Sequence, residues 1–197
     1  MLKKIKIVSS SSISPIEYVD AYGKVQHLFF DFPTKEFSLN DLCALAKISK
    51  TSANLAVTQL AKEGFLKLET IGRLWRISCD QSHPYNRERK IPYHLALIYS
   101  SGILDAVHKA VPGARSISLF GSIRKGDDIE SSDIDIAVEI LSDKGPEMIE
   151  LGTVPRFGYR KDVPVNLHVF SRNNIPLNLF ANIANGIVLE GFLEVRP

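Results

Sequence analysis

The sequence predicts an α+β protein in two units, a helical unit closed by a β-hairpin and then a small sheet flanked by helices. Three observations carry this. Between residues 14 and 64, serine and threonine caps open apolar-periodic stretches that proline and glycine close. Directly afterwards, 65–70 and 73–78 alternate apolar and polar residues on either side of Ile71 and Gly72, as the arms of a hairpin do. Finally, 118–140 reads as strand, tight turn, short helix and strand, and the rest of the C-terminal half is organised around it.

Taken in order, residues 1–13 join a short basic apolar stretch to Ser9–Ser12 and read as a loosely held arm. Ser14 and Pro15, a cap followed by a first-turn proline, open a helix to about Asp31 that turns Ile16, Val19, Val25, Leu28 and Phe29 inward; Pro33 stops it. Ser38 caps a helix over residues 39–46, Lys47 to Ser49 form a turn, and Ser49 or Thr51 caps a third helix that ends at Gly64. Leu55, Ala56, Leu60 and Ala61 are its expected inward positions. Residues 79–90, polar and aperiodic, read as a linker that Arg87, Arg89 and Lys90 keep solvated.

A helix is expected over 92–110, packing Leu95, Leu97, Ile98, Ile103, Leu104 and Val107 on the sheet. His94 and His108, without an acidic partner nearby in sequence, read as surface or core histidines. Residues 142–154 are expected to be loop, 163–170 a strand with Pro164 at a sheet edge or bulge, 174–185 a helix, and 187–190 a last short strand.

The 197 residues suffice for two small domains, with 45% hydrophobic and 23% charged side chains, as in ordinary globular proteins. No apolar run approaches the roughly 20 residues of a membrane helix, so no membrane role and a cytoplasmic location are expected. Cys43 and Cys79 stand apart from any Cys or His cluster and read as incidental thiols. Charge is uneven: residues 1–90 hold 14 Lys and Arg against 9 Asp and Glu, or +5, and residues 91–197 hold 10 against 13, or −3. The basic front half suits contact with nucleic acid.

In 118–140, the turn at Gly121 and Ser122 runs from a strand into a short helix, with Ser122 expected as its cap. Backbone N–H groups at a helix start face an anion, glycine allows close approach, and Arg124 and Lys125 add charge. In 133–140, polar residues alternate with Ile134, Ile136, Val138 and Ile140, so Asp133 and Asp135 point the same way. Two carboxylates about 6 to 7 Å apart on one strand face call for a counter-ion, and hard oxygen ligands suit Mg²⁺. A phosphate cradle beside paired acids points to phosphoryl or nucleotidyl transfer.

The pattern of Gly121-Ser122, a gap, and Ser132-Asp133-Ile134-Asp135-Ile136 resembles the signature of the polymerase-beta-like nucleotidyltransferase superfamily, closest to its minimal members. The resemblance implies a mixed sheet over residues 91–197 and transfer of a nucleoside monophosphate from an NTP such as ATP to a hydroxyl acceptor. It implies Mg²⁺ or Mn²⁺ on Asp133 and Asp135, Gly121 and Ser122 on the phosphates, and Arg124 or Lys125 neutralising charge. It also implies a third carboxylate on the neighbouring strand, where this sequence holds Asn166. A neutral amide oxygen should bind a second ion more weakly. His168, on the same strand face, is expected as base or ligand, with Asp162 and Glu139 as more distant candidates.

Over residues 14–78, the order helix, helix, helix, hairpin, with Glu63-Gly64-Phe65-Leu66 at the join, resembles the winged helix-turn-helix DNA-binding domains of prokaryotic regulators. That implies Lys50, Thr51, Ser52, Asn54 and Thr58 on the outer face of a recognition helix and Arg73 at the wing tip. A solvated face on a dimerisation or docking domain is the plainer reading of the same residues. Two functions stay open: a DNA-tethered nucleotidyltransferase, or a DNA-binding regulator or antitoxin-like protein whose degenerate domain binds nucleotide or mediates dimerisation without turnover. A homodimer or a partner protein is compatible with both. A solvated acidic loop on some other α/β fold is the remaining alternative for 127–135.

Overall fold

In the computed structural model, which describes residues 19–72 and 74–195, helix α1 spans Ala21–Asp31. Its cap is Asp20, whose carboxylate accepts the Gly23 N–H at 2.8 Å. The expected start at Ser14 and Pro15, with Ile16 and the basic arm, lies outside the described residues, and Val19 precedes the helix instead of lying within it. Ser38 caps α2 (Leu39–Ala46) in a reciprocal box with Asp41, and Lys47 at φ 54° closes it. Ser49 caps α3 (Lys50–Lys62).

The inward stripe of α3 is Ala53, Ala56, Val57 and Leu60, spaced i, i+3, i+4, i+7. Leu55, expected inside, lies off that stripe and is exposed, and Ala61 is half-buried. Strands β1 (Leu66–Ile71) and β2 (Leu74–Cys79) pair antiparallel, with Ile71 opposite Leu74 and a further bridge from Phe37 to Ile77.

The stretch expected as a linker, 79–90, holds a short helix and two buried polar side chains, Asn86 and Lys90, among mostly exposed residues. Pro84 opens the short α4 (Tyr85–Glu88), and the buried Asn86 amide donates to the carbonyls of Asp80 and His83. Arg87 and Arg89 are exposed as expected, but Lys90 is buried at the start of α5 (Lys90–Ser100) because Asp128 meets it there. The helix expected over 92–110 is two: Gly102, at φ 80°, separates α5 from α6 (Ile103–Ala110). A left-handed residue at that point breaks the α-helical ladder.

The second unit is built on β3 (Ser116–Phe120), α7 (Gly121–Lys125), β4 (Ile134–Glu139), β5 (Glu147–Phe157), β6 (Arg160–Phe170), α8 (Leu177–Ala184) and β7 (Ile187–Gly191). The strands form one mixed sheet in the order β5-β6-β4-β3-β7, in which β4 and β6 run parallel and the other pairs antiparallel. Most of the loop expected over 142–154 is therefore strand. Gly152 and a register shift between Glu150 and Gly152 break the alternation that would have revealed β5. Pro164 faces Thr153 of β5 just before β4 begins to pair at Val165, so its missing N–H interrupts no ladder with β4.

Each face of the sheet has its own core. Ile134, Ile136, Val138 and Leu167 join Ile98, Ile103 and Val107 of α5 and α6, while Phe120, Ala137 and Phe170 pack with Ile183 of α8. The first core is continuous with the helical unit. Phe30 of α1 meets Phe65 edge-on at 5.5 Å and lies 6.0 Å from Tyr93 of α5.

His27 stacks on Tyr93 with ring centroids 4.0 Å apart, and burial lowers its pKa from 6.5 to about 4, against the opposing pull of Asp31. Between those values the unfolded chain binds the extra proton, so this contribution is complete above pH 6.5 and is lost as the pH falls towards 4. At about 1.4 kcal/mol per unit, the loss amounts to a few kcal/mol. His27→Phe is expected to flatten this part of the stability profile, measured as urea midpoints between pH 7 and 4.

Candidate functional site

Strand β3 ends at Phe120, which pairs with Asp135 of β4, and the chain turns at Gly121 with φ 76° straight into α7. A Cβ at Gly121 would run into the Asp135 carboxylate, so glycine is needed for both backbone angle and space. Gly121→Ala is expected to cost about 1 to 3 kcal/mol, read from urea unfolding. Ser122 does not cap α7. The helix already starts at Gly121, Phe120 is its N-cap, and no side chain caps it.

The parallel register sets Asp135 against Asn166 and Ala137 against His168. From β6, the Asn166 amide donates to Asp133 Oδ2 at 3.0 Å, and His168 Nε2 lies 3.4 Å from Asp135 Oδ1. Asn166 and His168 are two residues apart on one strand face, so both aspartates are met from the same side of the sheet. Phe120 meets the His168 ring edge-on at 4.8 Å and 80°. Asp135 and His168 keep 27% and 20% of their side chains exposed, enough for a ligand to reach them.

Asn166 thus stands beside the aspartates at the position where a third carboxylate was expected. The more distant candidates are elsewhere. Glu139 is buried and accepts from Arg172 Nε, with Ser116 beside it. Asp162 is exposed at φ 50°, ahead of the point where β6 meets β4.

Gly121, Arg124 and Lys125 line a cleft of about 200 Å³ with Phe120 and with Asn182 and Asn185 near the C-terminal end of α8. The two asparagines were not foreseen, because a polar helix face carries no chemical signature in sequence. Among the described residues no set of three or more His, Cys, Asp and Glu side chains forms a metal site by itself. Asp133 and Asp135 are the carboxylates that could hold a divalent ion. Asn166 fits a second ion poorly, since its N–H points into Asp133.

Behind the site lies a buried polar cluster with no local sequence signal. Asp31 of α1 accepts from Tyr93 Oη at 2.9 Å and from the Tyr159 N–H at 2.7 Å, and lies 3.3 Å from His94 Nε2. Burial, and then the Asp31 charge, push the Tyr93 phenol well above its usual pKa. A side chain at Gly158, φ 64°, would collide with Asp31 and Tyr93, so the tight β5–β6 turn lets these groups meet. His94 is therefore a core histidine, with one acidic neighbour, Asp31, from the other unit and a second, Asp128, from its own.

On the helical unit, Lys50, Thr51 and Thr58 are exposed and Asn54 is partly so. Ser52 is tied to the α3 cap by its N–H and hydroxyl contacts with Ser49. Lys50 and Asn54 line a shallow depression of about 120 Å³ with Ser38, Asn40, Leu74 and Trp75. Arg73 lies outside the described residues. Among the described residues no helix is long and apolar enough to cross a membrane.

No curated protein matches the chain. Residues 100–174 match the family model of the nucleotidyltransferase domain, a stretch that runs from the end of α5 past β6 and contains the Gly121 turn, both aspartates, Asn166 and His168.

Proposed function

We propose that the chain is a nucleotidyltransferase-family protein that moves a nucleoside monophosphate from an NTP to a hydroxyl acceptor and is tethered to DNA by its helical unit. The observation that carries this reading is the contact of Gly121 with Asp135, which leaves no room for a side chain between the phosphate turn and the first β4 carboxylate. Gly121 and Ser122 would receive the phosphates, Arg124 and Lys125 would balance their charge, and Asp133 with Asp135 would hold one Mg²⁺ or Mn²⁺. The ion would supply charge neutralisation and polarisation of the transferring phosphoryl group. His168, in contact with Asp135 and the Phe120 ring, would take the acceptor's proton. Incubation of the full chain with labelled ATP, Mg²⁺ or Mn²⁺ and protein, RNA or small-molecule acceptors tests it, with label transfer as the expected result.

One observation favours a second reading. The Asn166 amide donates into Asp133, so the third position holds a donor where catalysis by two ions needs an anion. A regulator or antitoxin-like protein that binds nucleotide without turnover would look the same. Calorimetry separates the two: tight ATP binding with no label transfer supports the regulator.

The DNA assignment rests on the resemblance of three capped helices and a hairpin to winged helix-turn-helix domains, and on the exposed, basic start of α3. Lys50→Ala is expected to weaken duplex DNA binding and to lower the slope of log affinity against log salt by about 0.9 if Lys50 contacts one phosphate. Titrations at three salt concentrations measure it.

A further inference from the structure

Between α1 and the sheet runs a seam of ionisable side chains that the reaction proposed above does not use. Asp31, Lys90, His94, Asp128 and Arg160 are each at most 3% exposed. His94 bridges the two carboxylates, with Nε2 3.3 Å from Asp31 Oδ1 and Nδ1 3.7 Å from Asp128 Oδ1. Lys90 Nζ lies 3.0 Å from Asp128 Oδ1 and donates to the Asp128 carbonyl at 2.7 Å. Arg160 places Nη1 3.8 Å from Asp128 Oδ2, while its Nη2 donates to the carbonyl of Ser132. The contacts therefore start on the last residue of the first helix and end one peptide before Asp133.

Stability does not explain such an arrangement. Desolvating each ion costs several kcal/mol, and apolar replacements of buried ion pairs are often neutral or stabilising. The seam's contacts reach one loop. Residues 127–133 connect α7 to β4 outside both elements, and apart from the Ile129 N–H to Ser132 Oγ bond and a short Ser132 N–H to Ile129 turn, their ties run outwards. Those ties include Lys90, His94 and Arg160, the Asn166 amide that donates to Asp133, and the Thr34 hydroxyl just beyond α1, which donates to Glu130 Oε1 at 2.6 Å.

We propose that Lys90, Asp128 and Arg160 are positioning residues that fix this loop so that Asp133 stands beside Asp135, and that Asp31 and His94 tether it to the helical unit. A shift of α1 then changes ion and nucleotide affinity at the aspartates. The affinity part rests on the nucleotide reading above; the mechanical part stands without it.

The test uses the full chain with the paired change Lys90→Met and Asp128→Asn, which removes one charge of each sign, and separately Asp31→Asn, a nearly isosteric change on α1. Amide hydrogen exchange over 127–133, the melting temperature, and calorimetric affinity for Mn²⁺ with a non-hydrolysable ATP analogue are measured. Both variants are expected to exchange the loop at least about tenfold faster than the core amides of β4 account for. Ion affinity should fall about ten- to a hundredfold, as when groups supporting metal ligands are removed. Unchanged loop protection, or a rise matched by the β4 amides, overturns the proposal. So does a loosened loop with unchanged Mn²⁺ affinity. If the parent protein binds no Mn²⁺–nucleotide, the nucleotide reading fails, and the exchange comparison still decides whether the seam holds the loop.

Discussion

Replacing Asp133 and Asp135 together by alanine is expected to reduce nucleotidyl transfer by about 10³-fold or more, while the melting temperature moves by only a few degrees. The rate effect is large because the Asp135 carboxylate abuts the Gly121 turn and Asp133 faces the same side of the sheet, and charge stabilisation by a positioned clamp is usually the largest catalytic contribution in this chemistry. The stability effect is small because both side chains are only partly buried. Their partners Asn166 and His168 lose one neutral-donor bond each, about 1 kcal/mol apiece. Label transfer and thermal melts on the same preparation check both halves. Transfer that survives the double change would place the chemistry elsewhere in the chain.

Phe30→Ala is expected to cost about 3 to 5 kcal/mol in unfolding free energy. Phe30 is fully buried, meets Phe65 edge-on and reaches Tyr93, so its removal opens a cavity where the hairpin, α1 and α5 come together. Local collapse is limited by the surrounding rings, which raises the cost towards the upper end. Urea unfolding followed by tryptophan fluorescence should show one transition at a lower midpoint. The single Trp75 reports on β2, and far-ultraviolet dichroism reports on both units. If the two probes separate in the parent protein, the continuous core described above does not unfold as one.

What the sequence disclosed depended on how local each feature is. The boundaries of α2 and α3 were readable from Ser38, Ser49 and Gly64, because caps act within three residues. Strand β4 and its turn were readable because alternation and a Gly-Ser pair lie within one short stretch. Strand β5 was hidden, since Gly145, Pro146 and Gly152 mark it as a turn region while its strand character comes from pairing with β6. Lys90 was misjudged for a similar reason: a lysine among polar residues looks solvated until Asp128, 38 positions later, is brought to its ammonium. The placement of Asp133 and Asp135 on one side of the sheet was legible, and so was that of Asn166 beside them, because a parallel register carries residue order directly into spatial neighbourhood. The tether from Asp31 to His94 was not legible, because no pattern in either segment points to the other.

In the function proposed here, the Gly121 turn and the two aspartates grip one divalent ion together with a triphosphate. Equilibrium titration of Mn²⁺ into the full chain with a non-hydrolysable ATP analogue, followed by electron paramagnetic resonance of the free ion, measures this most directly. One nucleotide-dependent Mn²⁺ per chain is expected, lost in the Asp133→Ala, Asp135→Ala double variant. Two tightly held ions would contradict the role given to Asn166, and nucleotide-independent or undiminished binding in the double variant would contradict the site itself.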